Sequence, residues 1–264
     1  MHLYIVAHAC DFQVDSLERD AFEVLRLVRS IKNLFAPINR VPPEILSLLP
    51  DYCCEIATGL DLIALTHICR SWRDTFTSHS SLWTRLNFKD IEKICTYIQC
   101  SRSSPLEFYL EGDTIIHDVF SLVIPHIPQL KSLTVNAYTL PSVLEHFHCH
   151  VPLLEKLDIS VSTAARVVLD SSLFNRDLSS LRDLRLGGVI TRLPWKNLAN
   201  LQVFDLNTPV HTYRTTQHLD IFESAPLLHT VFLTCSMPSS SDAPLGQIVR
   251  LPRLKTFSIM SGMF

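Results

Sequence analysis

The sequence predicts an α/β chain, with an all-helical N-terminal domain followed by an irregular solenoid of leucine repeats. Three observations carry that expectation. Apolar residues recur at helical spacing up to residue 88, and from about residue 104 a pattern L-x-x-L-x-L takes over. Of 264 residues, 47% are hydrophobic, with a mean hydropathy of +0.20, which supplies enough apolar side chain for a sizeable core and argues against disorder.

The expected organisation is a helical segment at 1–36, a compact unit at 37–88 and the repeats at 104–264. The first 14 residues have no readable start. Residues 15–36 read as an amphipathic helix. Asp15 with Glu18 three residues on resembles a capping box. Leu17, Ala21, Val24, Val28, Ile31 and Phe35 follow alternating steps of four and three, the heptad seam. Ala36-Pro37 ends the helix, because the residue before proline resists the helical region. Such a helix suits a short coiled coil or dimerising element; the other reading is a helix packed on the next domain.

In residues 37–88, Pro42-Pro43-Glu44 suits a helix N-terminus, where proline is tolerated and an acid meets the positive end of the dipole. Ile45, Leu46, Leu48 and Leu49 come next, and Pro50 is expected to stop that helix. Asp61 then starts another, with Leu62, Leu65, Cys69, Trp72 and Phe76 on one face. Thr77–Ser81 is polar and leads to Leu82, Trp83, Leu86 and Phe88.

Six segments then share the leucine pattern: Leu130/Leu133/Val135, Leu154/Leu157/Ile159, Leu181/Leu184/Leu186, Leu201/Phe204/Leu206, Leu228/Val231/Leu233 and Leu254/Phe257/Ile259. Their first positions lie 20 to 27 residues apart, within the span of leucine-rich repeats. Leu106, Phe108 and Leu110 form a possible earlier unit. Each unit is expected to place a strand whose leucines enter a core shared with its neighbours. Pro128, Pro152, Pro226 and Pro252, two residues before the first leucine, stiffen the approach to the strand. The asparagine usual three residues past the third leucine is missing. Tyr138, Ser162, Val189, Pro209, Ser236 and Gly262 stand there, so uneven curvature is expected.

Several function classes are disfavoured. The 6 glycines include one adjacent pair, Gly187-Gly188, outside any phosphate-cradling pattern, and no GxSxG or HExxH occurs. A formal charge of −3, with well-mixed signs, lacks the basic footprint of a nucleic-acid binder. The 8 cysteines have no regular spacing, and Cys53-Cys54 reads as ordinary packing, so a reducing compartment is expected. No apolar run reaches membrane-spanning length. The expectation is a soluble intracellular protein, cytoplasmic or nuclear, with no nucleic-acid or membrane partner.

INRVPPEILSLL (38–49) and DLIALTHICRSWRDTFTSHSSLWTRLNF (61–88) resemble the F-box domain. The chain is similar to the F-box proteins with degenerate leucine-rich repeats common in basidiomycete fungi. SSPLEFYL (103–110) and IPQLKSLTV (127–135) are also similar to the region after the box in that group. The PPE start, the Cys69-Arg70-Ser71-Trp72 spacing and the SLW near the end carry the likeness. The resemblance implies a substrate-recognition subunit of an SCF-type cullin-RING ubiquitin ligase. The box would dock on the Skp-type adaptor and the repeats would bind a target protein. Such a subunit is no enzyme, needs no cofactor and works by proximity. By position, Val41, Pro42, Pro43, Ile45, Leu46 and Leu49 would form the leading adaptor contact. Leu62, Leu65, Cys69 and Trp72 would come next, partly as contact and partly as core, and Trp83 as core. Pro50-Asp51-Tyr52 departs from the bulky apolar residues usual there. This departure points to the alternative, a non-catalytic leucine-rich-repeat scaffold whose drifted box binds no adaptor.

The residues between the leucines would point to a concave binding face. The candidates for target contact are Lys131, Thr134, Lys156, Asp158, Arg182, Arg185, Asp205 and Phe232. Arg182 and Arg185 together suit bidentate reading of a phosphate. His146, His148, Cys149 and His150 crowd too closely for a tetrahedral zinc site and read as a turn, so no metal ligand and no catalytic residue is expected.

Overall fold

The computed structural model of the chain describes residues 2–50, 62–87, 91–111, 121–136, 147–161, 167–169, 172–191, 197–208, 215–235 and 248–260. The chain divides into two compact units, 1–82 and 83–264.

In the first unit, helix α1 spans His2–Phe35. Asp15 lies in its middle, so the capping-box pattern marks an exposed charged turn rather than a start. Among residues 14–35 no side chain is buried, so α1 does not pack there as a core helix. The helix ends as the sequence dictates: Ala36 is extended before Pro37, and its N–H donates to the Asn33 carbonyl. After a 3-10 turn at Pro37–Arg40 comes α2, Pro43–Leu46. It finishes before Pro50, at the Ser47–Leu48 turn. Pro50 is therefore not the terminator: Leu49 and Pro50 are already helical again, and Pro50 is buried. The first turn of a helix needs no N–H from its proline.

The single helix expected from Asp61 is two helices, α3 at Leu62–Thr66 and α4 at Arg70–Ser78. Asp61 and the Cys53-Cys54 pair lie outside the described residues. Thr66 Oγ1 donates back to the Ile63 carbonyl, and Arg73 Nε donates to the Thr66 carbonyl, closing off α3. Leu46, Leu62, Leu65, Trp72 and Phe76 are buried, with Trp72 and Phe76 edge-to-face at 5.5 Å.

The second unit is built on an eight-stranded sheet. Its strands are β1 (Arg85–Asn87), β2 (Leu106–Glu111), β3 (Leu130–Asn136), β4 (Lys156–Ser160), β6 (Asp183–Gly187), β8 (Val203–Thr208), β9 (Thr230–Cys235) and β10 (Thr256–Met260). They lie in that order, and every pairing is parallel. Two short strands, β5 (Val167–Leu169) and β7 (Val189–Thr191), form a separate parallel pair. The second unit also contains helices α5 (Ile91–Ser101) and α6 (Thr215–Ser224).

The expected fold class is thereby corrected. In place of an all-helical domain followed by an irregular leucine-repeat solenoid, the chain is α/β, with a parallel eight-stranded sheet and an N-terminal helix. The sheet begins inside the segment expected to be helical, because Leu86 belongs to β1 and pairs beside Phe108. Leucine spacing specifies strands and their buried face; it does not specify how strands accumulate into an overall architecture.

Local chemistry sets each strand in place. Before six strands, a four-residue turn closes with an N–H to C=O bond from its last residue to its first: Ile127–Leu130, Val151–Leu154, Leu178–Leu181, Leu198–Leu201, Ala225–Leu228 and Leu251–Leu254. Pro128, Pro152, Pro226 and Pro252 occupy the second position, where a fixed φ favours the turn. The two remaining turns have Ser179 and Ala199 there instead, and Ser179 N–H and Oγ are held by Asp177 Oδ1. Beyond the turns, alternate residues enter the core, as with Leu157, Leu184, Phe204 and Val231, each 0% exposed.

Candidate functional site

The outward side chains of the sheet fall into register. One row crosses it as Tyr109, Thr134, Asp158, Arg185, Asp205, Phe232 and Ser258. Parallel pairing without a shift from β3 to β10 places these side chains side by side, so their chemistry adds up along a line. Around its centre lies an open hollow of about 530 Å³, lined by Asp158, Arg185, Asp205 and Phe232, with Ser160, Gly187, Asn207, Thr234 and Met260 one alternation further along the strands.

Electrostatics distinguish the members of the row. Arg185 holds Asp183 through two bonds, Nε to Oδ1 at 3.0 Å and Nη2 to Oδ2 at 3.1 Å. Those bonds, with the charge of the surrounding carboxylates, raise the pKa of its guanidinium. Burial pushes the carboxyls of Asp158 and Asp205 above the ordinary range, against the opposing pull of Arg185 on both and of Lys156 on Asp158. Thr134 Oγ1 is buried with no hydrogen-bond partner among the described residues. Tyr109 donates to Glu107 at 3.0 Å, and Arg85 lies 3.6 Å from the same carboxylate. The row can therefore accept hydrogen bonds at Asp158 and Asp205 beside the half-buried ring of Phe232.

Of the sequence candidates, Thr134, Asp158, Arg185, Asp205 and Phe232 come together in this row, and Lys156 lies beside Asp183 in the neighbouring one. Lys131 and Arg182 do not join them. Both turn to Glu155, at 3.7 and 4.0 Å, around a second hollow of about 280 Å³. The two arginines thus do not converge on one phosphate, since each faces a carboxylate of its own. Ser160, Asn207, Thr234 and Met260 were not anticipated. Carrying the period-two alternation two residues past Asp158, Asp205, Phe232 and Ser258 points to them.

In the first unit the adaptor candidates divide. Pro42, Pro43 and Ile45 are exposed, Ile45 at 54%, and Val41, Leu49 and Cys69 are half-buried. Leu46, Leu62, Leu65 and Trp72 are core, so Leu46 leaves the expected contact strip. Leu48, unanticipated, is 51% exposed. Asn39, equally unanticipated, organises the region. Its Oδ1 accepts from Trp72 Nε1 at 2.9 Å and from Cys69 Sγ at 3.8 Å, and its Nδ2 donates to the Asn33 carbonyl. Trp83 is core, but of the second unit, edge-to-face with Tyr97.

His148 and His150 face different partners, Ser172 and Asp177, and His146 lies outside the described residues. Hydrogen bonds from Ser179, more than the contact with His150, lower the pKa of Asp177. Among the described residues no group of three or more His, Cys, Asp or Glu side chains could hold a metal ion. No helix among them is long and apolar enough to cross a membrane. Compared with known proteins, the chain matches no family model, and no curated protein matches it significantly.

Proposed function

We propose that the chain is the target-binding subunit of an SCF-type cullin-RING ubiquitin ligase. The F-box-like segment 37–88 docks on a Skp-type adaptor, and the outward face of the parallel sheet holds the target protein. The chain itself catalyses nothing, uses no cofactor and works in the cytoplasm or nucleus. One observation supports this reading above the others. Within the segment that resembles the box, Ile38, Ile45 and Leu48 stay 42%, 54% and 51% exposed beside Pro42 and Pro43, while their neighbour Leu46 is buried. A short stretch that keeps its apolar side chains in water suits a partner's surface.

The test is calorimetry of the full chain with a fungal Skp adaptor, using a Pro43→Ala/Ile45→Ala variant as control. The expected result is a dissociation constant near or below ~1 μM, about −8 kcal/mol, lost in the variant. A well-folded chain with no detectable heat sinks the proposal and leaves a non-catalytic scaffold that uses the sheet face for another purpose.

A further inference from the structure

Helix α1 presents its heptad seam to water. Leu17, Val24, Val28, Ile31 and Phe35 are 68%, 59%, 45%, 54% and 67% exposed, and Ala21 is exposed between them. The stretch from Val14 to Phe35 is about 33 Å of helix, roughly three heptads. A straight helix bearing a 3.5-residue apolar period is complementary to another helix of the same period.

The sequence of the seam chooses the occupant. Laid antiparallel on a second copy, about a two-fold axis beside Arg26, the seam sets Leu17 against Phe35, Ala21 against Ile31 and Val24 against Val28. The smallest seam residue thus meets a large one in each half, and no layer repeats a bulky residue against itself. Glu18 and Lys32 flank the seam on the same edge. Neither has an opposite charge three or four positions away on its own helix. The antiparallel arrangement brings Glu18 of each copy opposite Lys32 of the other, twice by symmetry. A parallel arrangement sets Lys32 against Leu27 and Asp20 against Leu25, with no opposite charges paired. We infer that α1 joins two copies of this chain as an antiparallel helix pair, an isologous homodimer contact.

The test is sedimentation equilibrium of the full chain at ~1–100 μM, with association read against the 30.0 kDa monomer. The expected species has twice that mass. Val24→Asp/Val28→Asp, which puts carboxylates inside the seam, is expected to weaken association by about a hundredfold or more. Near-UV circular dichroism shows whether the rest of the chain stays folded. Charge reversal reads orientation without disturbing the seam. Glu18→Lys and Lys32→Glu singly are each expected to weaken the dimer by a few-fold, and the two together to restore it. A monomer at the top concentration, an assembly larger than a dimer, a dimer that survives Val24→Asp/Val28→Asp, or a doubly reversed chain no tighter than the single variants would each overturn the inference.

Discussion

Asp158 and Asp205 carry their charge where the sheet least favours it. Burial raises both carboxyl pKa values, so each proton is held more tightly in the folded chain than in the unfolded one. Above the raised folded values both groups are ionised in either state, and the folded state bears the penalty. The penalty fades as pH falls through the raised folded values and is gone below the unfolded value of 3.8. Asp158→Asn and Asp205→Asn are therefore expected to raise Tm at pH 7, with the gain shrinking as pH falls toward 3.8. Calorimetric scans across that range check it. A loss of Tm at pH 7 that shrank on acidification would show that pairing with Arg185, rather than burial, governs these groups. Both residues are legible in the sequence, because a polar residue between two apolar ones at two-residue spacing, Leu157 and Ile159 or Phe204 and Leu206, points away from the core. Asn39 is not legible, since the two groups that donate to its Oδ1 lie thirty or more residues away, at Cys69 and Trp72.

At the level of elements, the apolar spacing locates the strands and misses the break between α3 and α4. The same face is buried on both sides of that break, at Leu62, Leu65, Trp72 and Phe76, so the helical period runs on across it. Leu86 reads as part of the helical unit because a strand as short as β1 shows no period of its own; only its pairing with β2 defines it. The Gly187-Gly188 pair carries no structural signal in the sequence. In the structure Gly188 turns the chain from β6 into β7 with φ +69, and its N–H donates to the Asn207 carbonyl. A Cβ there would collide with the carbonyl oxygen of Val161. Gly188→Ala is expected to cost about 2 kcal/mol or more, from the left-handed backbone and the clash together. Urea unfolding measures it, and an unchanged midpoint would show that the link between β6 and β7 relaxes freely.

For the whole molecule, the leucine segments reveal where a core forms but not that it is one parallel sheet. Its large buried cluster runs from Leu86 to Leu233 and draws all its members from the second unit. A fragment of residues 83–264 is accordingly expected to fold by itself, giving dispersed amide resonances and one cooperative urea transition. A broad, non-cooperative transition would show that this core is insufficient.

The order of the eight strands also has a consequence for how the chain is made. Apart from the β5–β7 pair, each strand lies beside the strand that precedes it in the main sheet. A ribosome supplying ~5–20 residues each second therefore delivers each main-sheet strand after β1 to a partner already in place, within a few seconds of the last. No strand need wait for a distant one, and the loops that must close are short ones. Pulse-labelled nascent chains should accordingly gain protease resistance in steps, from β1 toward β10, rather than all at once on release.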